Sequence, residues 1–211
     1  MRRSLFAGLC LSAAALTPCD VGAQESPLLP RVGIFGTHAL QADGLGTDFG
    51  VSLGVGKRLG RSGRLGIEVG YLRLGSLDEV RPFLTPPPDL QPATLSTNAS
   101  RRLVYLGLNL ERPLGSRGLR PVILAGLGGY GFQQNYSVVG RDSASGNVFL
   151  RSKEHGWNWG PGASLGLGLA LPGRLGPFRP RVEARAHLSA AKTEESWTTL
   201  ETLTFGVTLG W

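Results

Sequence analysis

Three patterns in the sequence predict an all-β chain: an eight-stranded antiparallel up-and-down transmembrane β-barrel. Short segments alternate apolar and small residues with period two, tight turns alternate with longer connections, and aromatic residues gather near strand ends. Successive side chains of a strand point to opposite faces. In the last segment Leu203, Phe205, Val207, Leu209 and Trp211 share one face, and Thr202, Thr204, Gly206, Thr208 and Gly210 share the other. A soluble protein would clothe its polar face in Lys and Glu. Small, weakly polar residues suit the lumen of a narrow barrel whose greasy face meets lipid.

The beginning of the chain predicts export. Arg2 and Arg3 precede an apolar run from Leu5 to Leu16, and Val21-Gly22-Ala23 has the small residues of a signal-peptide cleavage site. Residues 1–23 are read as a signal peptide and 24–211 as one barrel domain, with Gln24 the first mature residue. The run is shorter than the ~20 apolar residues of a spanning helix. Pro18 before Cys19 departs from a lipoprotein signal. Both cysteines, Cys10 and Cys19, fall in this leader, which excludes disulfides and cysteine metal sites from the mature chain. Losing Arg2, Arg3 and Asp20 lowers the formal charge from +7 to +6. The excess arginines are scattered through turns (Arg58, Arg61, Arg64, Arg112, Arg117, Arg120, Arg174, Arg179). That dispersal points to barrel rims and anionic head groups, and no nucleic-acid partner is expected.

Eight segments follow in order. The first, about Arg31 to Gln41, is the least regular. The second sets Phe49, Val51, Leu53 and Val55 against Gly50, Ser52, Gly54 and Gly56. The third sets Leu65, Ile67, Val69 and Tyr71 against Gly66, Glu68 and Gly70. The fourth sets Val104, Leu106, Leu108 and Leu110 against Tyr105, Gly107, Asn109 and Glu111. The fifth, Pro121 to Phe132, is apolar on both faces, so its facing stays open. The sixth opposes Ala163, Leu165, Leu167 and Leu169 to Gly162, Ser164, Gly166 and Gly168. The seventh opposes Val182, Ala184, Ala186 and Leu188 to Arg181, Glu183, Arg185 and His187. The eighth is described above.

Gly- and Pro-rich turns at 58–64, 112–118 and 172–177 follow the even strands. Two other connections, 76–100 and 133–156, read as long polar loops, and those near Ala42-Asp43-Gly44 and Thr193-Glu194-Glu195-Ser196 are shorter. A barrel with both termini in the periplasm needs short turns there and longer loops outside. Tyr71, Tyr130, Phe132, Trp157, Trp159 and Trp197 are expected in an outer aromatic girdle, with Phe178 and Trp211 at the opposite interface.

On these patterns the chain resembles the outer-membrane protein β-barrel family, the small eight-stranded barrels related to the OmpA transmembrane domain. The matching pieces are Gly126-Leu127-Gly128-Gly129-Tyr130-Gly131-Phe132, Arg179-Pro180-Arg181-Val182-Glu183-Ala184-Arg185-Ala186-His187 and Gly206-Val207-Thr208-Leu209-Gly210-Trp211. Members more often end in Phe. The resemblance implies the cell outer membrane as location, with its lipids, lipopolysaccharide and the barrel assembly machinery as partners. It implies no single activity.

The leading expectation is a structural or surface-interaction protein that displays segments 76–100 and 133–156 to an extracellular ligand. Its lumen is expected to be filled by Arg181, Glu183, Arg185 and His187 with Glu68 and Glu111, because eight strands enclose a bore that side chains fill. No catalytic or cofactor-binding residue, cofactor or metal site is assigned, and His38, His155 and His187 lack a ligand spacing. The alternative is an enzyme. His187 and Ser189 with Glu201 are similar to the His–Ser–Glu set of lipid A 3-O-deacylases, a lipid A-modifying esterase, although Ala190 replaces the expected Asn. A soluble periplasmic ligand-binding barrel would require the apolar faces to turn inward.

Overall fold

The structure is a computed structural model that describes residues 28–40, 47–60, 63–83, 93–115, 118–176, 178–192 and 197–210. The expected leader and Trp211 lie outside the described residues. Eight strands run in sequence order: β1 Leu29–Ala39, β2 Asp48–Leu59, β3 Gly63–Pro82, β4 Ala93–Pro113, β5 Arg120–Asp142, β6 Val148–Ala170, β7 Arg179–Lys192 and β8 Trp197–Gly210. Each is antiparallel to the next, and β1 pairs with β8 to close the ring.

Burial is inverted relative to a water-soluble barrel. Leu53, Leu106, Leu108, Leu127, Leu167 and Phe205 are exposed on the outer wall, whereas Glu68, Glu183, Arg185, Thr202, Thr204 and Thr208 are buried inside. The apolar faces therefore do not turn inward, which removes the soluble ligand-binding alternative. The facing of β5 is now settled: Val122, Leu124 and Tyr130 point inward, and Ile123 and Leu127 outward. In β1, Arg31, Phe35 and Thr37 point inward, and Val32 and Ile34 outward.

Two expectations are corrected. Segments 76–100 and 133–156 are mostly strand rather than loop, since β3 to β6 run 20, 21, 23 and 23 residues. A tilted strand crosses a bilayer in ~9–11 residues, so about half of each pairs beyond it. There no lipid selects for an apolar face, and Thr94, Thr97, Asn98, Ser137 and Ser152 stay in ladder while reading as polar. β6 loses its β7 neighbour above Gly162, and β3 loses β2 above Leu72. The extension is thus a four-stranded sheet, β3-β4-β5-β6. Phe83, the residue after β3, and Phe149 of β6 meet at 5.9 Å near the tip, so the sheet is curled.

The second correction concerns the girdle. Tyr130 is inside the barrel at 4% exposure, because it shares the parity of Val122 and Leu124, and Phe132 packs against the same interior cluster. Trp157 and Trp159 are exposed and stacked 5.9 Å apart. The side chains of Trp197 and Trp211 lie outside the described residues.

A bulge between Arg73 and Ser76 shifts the β3–β4 register, with Gly75 at φ 96°, where an L side chain is strained. It changes the inward parity: Leu72 below it, Leu74 within it and Leu77 above it all meet one interior cluster. At the far tip, Asp142 ends β5 and accepts hydrogen bonds from the Ser145 hydroxyl at 2.5 Å and the Ala144 N–H at 2.9 Å. The hydroxyl first, then the amide, hold its carboxyl below the usual range.

Candidate functional site

The interior is layered along the barrel axis. Nearest the short-turn end lies an ionic layer built by β1, β3, β4 and β7. The Arg31 guanidinium donates to Glu111 at 2.5 Å and to Glu183 at 2.6 Å, and stands 3.1 Å from Glu68. Arg181 grips Glu111 with both terminal nitrogens, at 2.8 and 3.0 Å, and lies 3.0 Å from Glu183. Arg185 does the same to Glu68, at 3.0 and 3.3 Å, and its Nε stands 2.9 Å from Glu183. Glu68 also accepts from Tyr105 at 2.6 Å and Asn109 at 3.0 Å. Thr208 donates to Glu183 and accepts from Arg181, both at 3.2 Å. Three guanidiniums thus face three carboxylates, so the buried charges cancel and almost every lone pair is used. That is the condition under which buried ions are tolerated.

Above the ions sits a ring layer. His187 lies between Tyr105, at 5.2 Å between centroids, and Tyr130, whose hydroxyl is 3.4 Å from Nδ1. Thr204 Oγ1 is 3.4 Å from Nε2. Next comes an apolar layer of Ala39, Leu72, Leu74, Leu103 and Leu200. Leu72, Leu74 and Leu103 are wholly buried. Side chains therefore close the bore twice, first by charge and then by hydrocarbon.

The sequence brought Arg181, Glu183, Arg185, His187, Glu68 and Glu111 to the lumen, and the structure places all six there. It missed Arg31, hidden in the least regular strand, although Arg31 touches all three carboxylates. The available signal was a lone Arg followed at odd positions by Gly33, Phe35 and Thr37, with Val32 and Ile34 between them.

The esterase set is not brought together. His187 and Ser189 face inward and are each 3% exposed. Glu201 pairs across from Leu188, which faces outward, so its carboxylate starts from the other side of the wall. His187 is buried and engaged by Tyr130 and Thr204, and Leu72, Leu74, Leu103 and Leu200 pack in the layer above it. His38 faces outward on β1 and His155 stands on the extension beside Gln133. Among the described residues no group of three His, Cys, Asp or Glu side chains could hold a metal ion.

No family model matches the chain, and no curated protein matches it in sequence. Solved structures do match. The attachment invasion locus protein Ail of Yersinia pestis aligns at 12% identity over 89% of this chain and 100% of that one, with a TM-score of 0.51. Neisserial surface protein A aligns at 11% identity over 87% and 95%, with a TM-score of 0.49. The N-terminal β-barrel domain of OprF from Pseudomonas aeruginosa aligns at 14% identity over 89% and 100%, with a TM-score of 0.41. At such identity the likeness is one of fold, and the first of these carries it. Taken with the closed ring of eight strands, the lipid-type outer face and the filled polar lumen, this makes the chain an eight-stranded outer-membrane β-barrel of the small, OmpA-like fold.

Proposed function

We propose that the barrel is a non-catalytic anchor that presents the β3–β6 extension at the cell surface to an extracellular ligand. The observation that carries this reading is strand length: four neighbouring strands are about twice as long as a crossing requires. A chain that only had to anchor itself would end its hairpins at the membrane, as β1, β2, β7 and β8 nearly do. The extension offers a curled sheet whose two edges have no strand neighbour among the described residues, with a stacked tryptophan pair at its base. The short turns and both termini then lie in the periplasm. The outer wall contacts membrane lipid and, in the outer leaflet, lipopolysaccharide, after insertion by the assembly machinery.

The test is cysteine labelling in intact cells. Both native cysteines precede the proposed cleavage site, so single cysteines report cleanly. Ser145→Cys at the hairpin tip should react with a membrane-impermeant maleimide in whole cells. Gly115→Cys in a short turn should react only after the outer membrane is permeabilised. The reverse pattern, or a chain recovered in the soluble fraction, overturns the proposal.

A further inference from the structure

At the short-turn mouth the alternation that fills the lumen continues with arginines. Arg58 on β2, Arg64 on β3, Arg120 on β5 and Arg179 on β7 share the inward parity of Ser52, Glu68, Val122 and Arg181. Two recesses open among them. One, of about 90 Å³, is bordered by Arg31, Arg64, Arg120 and Arg179. The other, of about 330 Å³, lies between the β4–β5 and β6–β7 turns and is bordered by Gly118, Arg120, Gly173, Arg174 and Arg179. The two turns are adjacent because Arg120 at the start of β5 pairs with Ala170 at the end of β6. Arg120 and Arg179 belong to both recesses.

The ionic layer above is neutral, so it offers these cations little. Glu111, the nearest carboxylate, is already held by Arg31 and Arg181, and Arg64 stands 4.0 Å from it. Among the described residues no carboxylate lies within ion-pair distance of Arg58, Arg120, Arg174 or Arg179. The Arg31 Nε is buried without a hydrogen-bond partner beside the first recess. Like charges crowd together here, and among the described residues no carboxylate separates them.

We propose that this arginine-lined mouth binds a phosphate group between the β4–β5 and β6–β7 turns. A guanidinium fork matches two phosphate oxygens, and several forks can share one tetrahedral anion. A carboxylate has only two oxygens and one charge to offer three converging cations. The phosphate comes from an anionic phospholipid of the leaflet around the mouth or from a free phosphate in solution. The lipid source rests on the membrane orientation proposed above.

The refolded full chain in uncharged detergent is titrated calorimetrically with inorganic phosphate, dihexanoyl phosphatidylglycerol and phosphate-free dihexanoylglycerol. Wild type should bind one of the two phosphate probes saturably and ignore dihexanoylglycerol. Arg120→Gln/Arg174→Gln/Arg179→Gln should bind at least ~10-fold more weakly, as expected when charge-assisted contacts are lost. Phosphatidylglycerol alone identifies the lipid, whereas inorganic phosphate identifies the free anion. Should the triple variant not give a barrel of heat-dependent gel mobility, Arg174→Gln alone, in an exposed turn, must still weaken binding. Absence of saturable binding by wild type, equal binding of dihexanoylglycerol, or affinity unchanged by the substitutions overturns the site. A barrel that is surface-labelled as proposed yet binds neither probe separates that failure from the anchor reading.

Discussion

Glu68 shows how tightly the interior depends on single groups. Its two oxygens serve Arg185, Tyr105 and Asn109, with Arg31 at salt-bridge distance. Glu68→Gln keeps the volume but removes one of three negative charges among three guanidiniums. Breaking a buried pair by removing one partner costs ~3–5 kcal/mol, far more than the pair adds relative to a packed apolar pair. Urea titration of the barrel in lipid vesicles should show a loss of at least about 3 kcal/mol for Glu68→Gln. Arg151→Gln, exposed on the extension, should stay within about 0.5 kcal/mol of wild type. Equal stability of both variants would mean that water, not carboxylate, compensates the lumen arginines.

The strands differ in how legible they were, and the reason is the solvent on each face. β2, β3, β4, β6, β7 and β8 announced their facing because lipid outside and a polar lumen inside demand different residues. β5 did not, because Val122 and Leu124 line the lumen while Ile123 and Leu127 line the lipid side. Both faces are apolar, so period two vanishes from the sequence though not from the fold. β3 to β6 were cut short in the reading because their upper halves leave lipid, and water on both sides erases the alternation. Tyr130 was misplaced because a ring near a strand end looks the same whether it joins a girdle or roofs a lumen. The alternation put glycines on the small-residue face, and the structure shows the contacts that require them there. A Cβ on Gly206 would meet the Ile34 carbonyl oxygen at 2.0 Å, whereas one on Gly129 would meet nothing within 4 Å. Gly206→Val should therefore sharply reduce the fraction of heat-modifiable barrel, since overpacking costs ~1–3 kcal/mol even where the backbone can yield. Gly129→Ala should fold as wild type. If both fold equally, the β8–β1 approach is looser than described.

For the molecule as a whole, the layered bore decides transport. An ion entering from the short-turn end meets a neutral salt-bridge layer. Beyond the ring layer it would have to pass the wholly buried Leu72, Leu74 and Leu103, whose hydrocarbon side chains offer no hydrogen bond. Burying an unpaired charge in such surroundings costs several kcal/mol at least. Planar-bilayer recordings of the purified barrel should show little or no stable conductance, and large steady channels would overturn the sealed lumen. The ring closure itself has a kinetic meaning. Seven of the eight pairings join strands consecutive in sequence, so each can zip from its own turn. The β1–β8 seam joins the two ends of the chain, and its register spans only Val32–Ala39 against Thr202–Leu209. Contacts of such sequence separation form late, after the chain has been brought around. The last seam to close, being also short, is the one through which the wall most readily unzips.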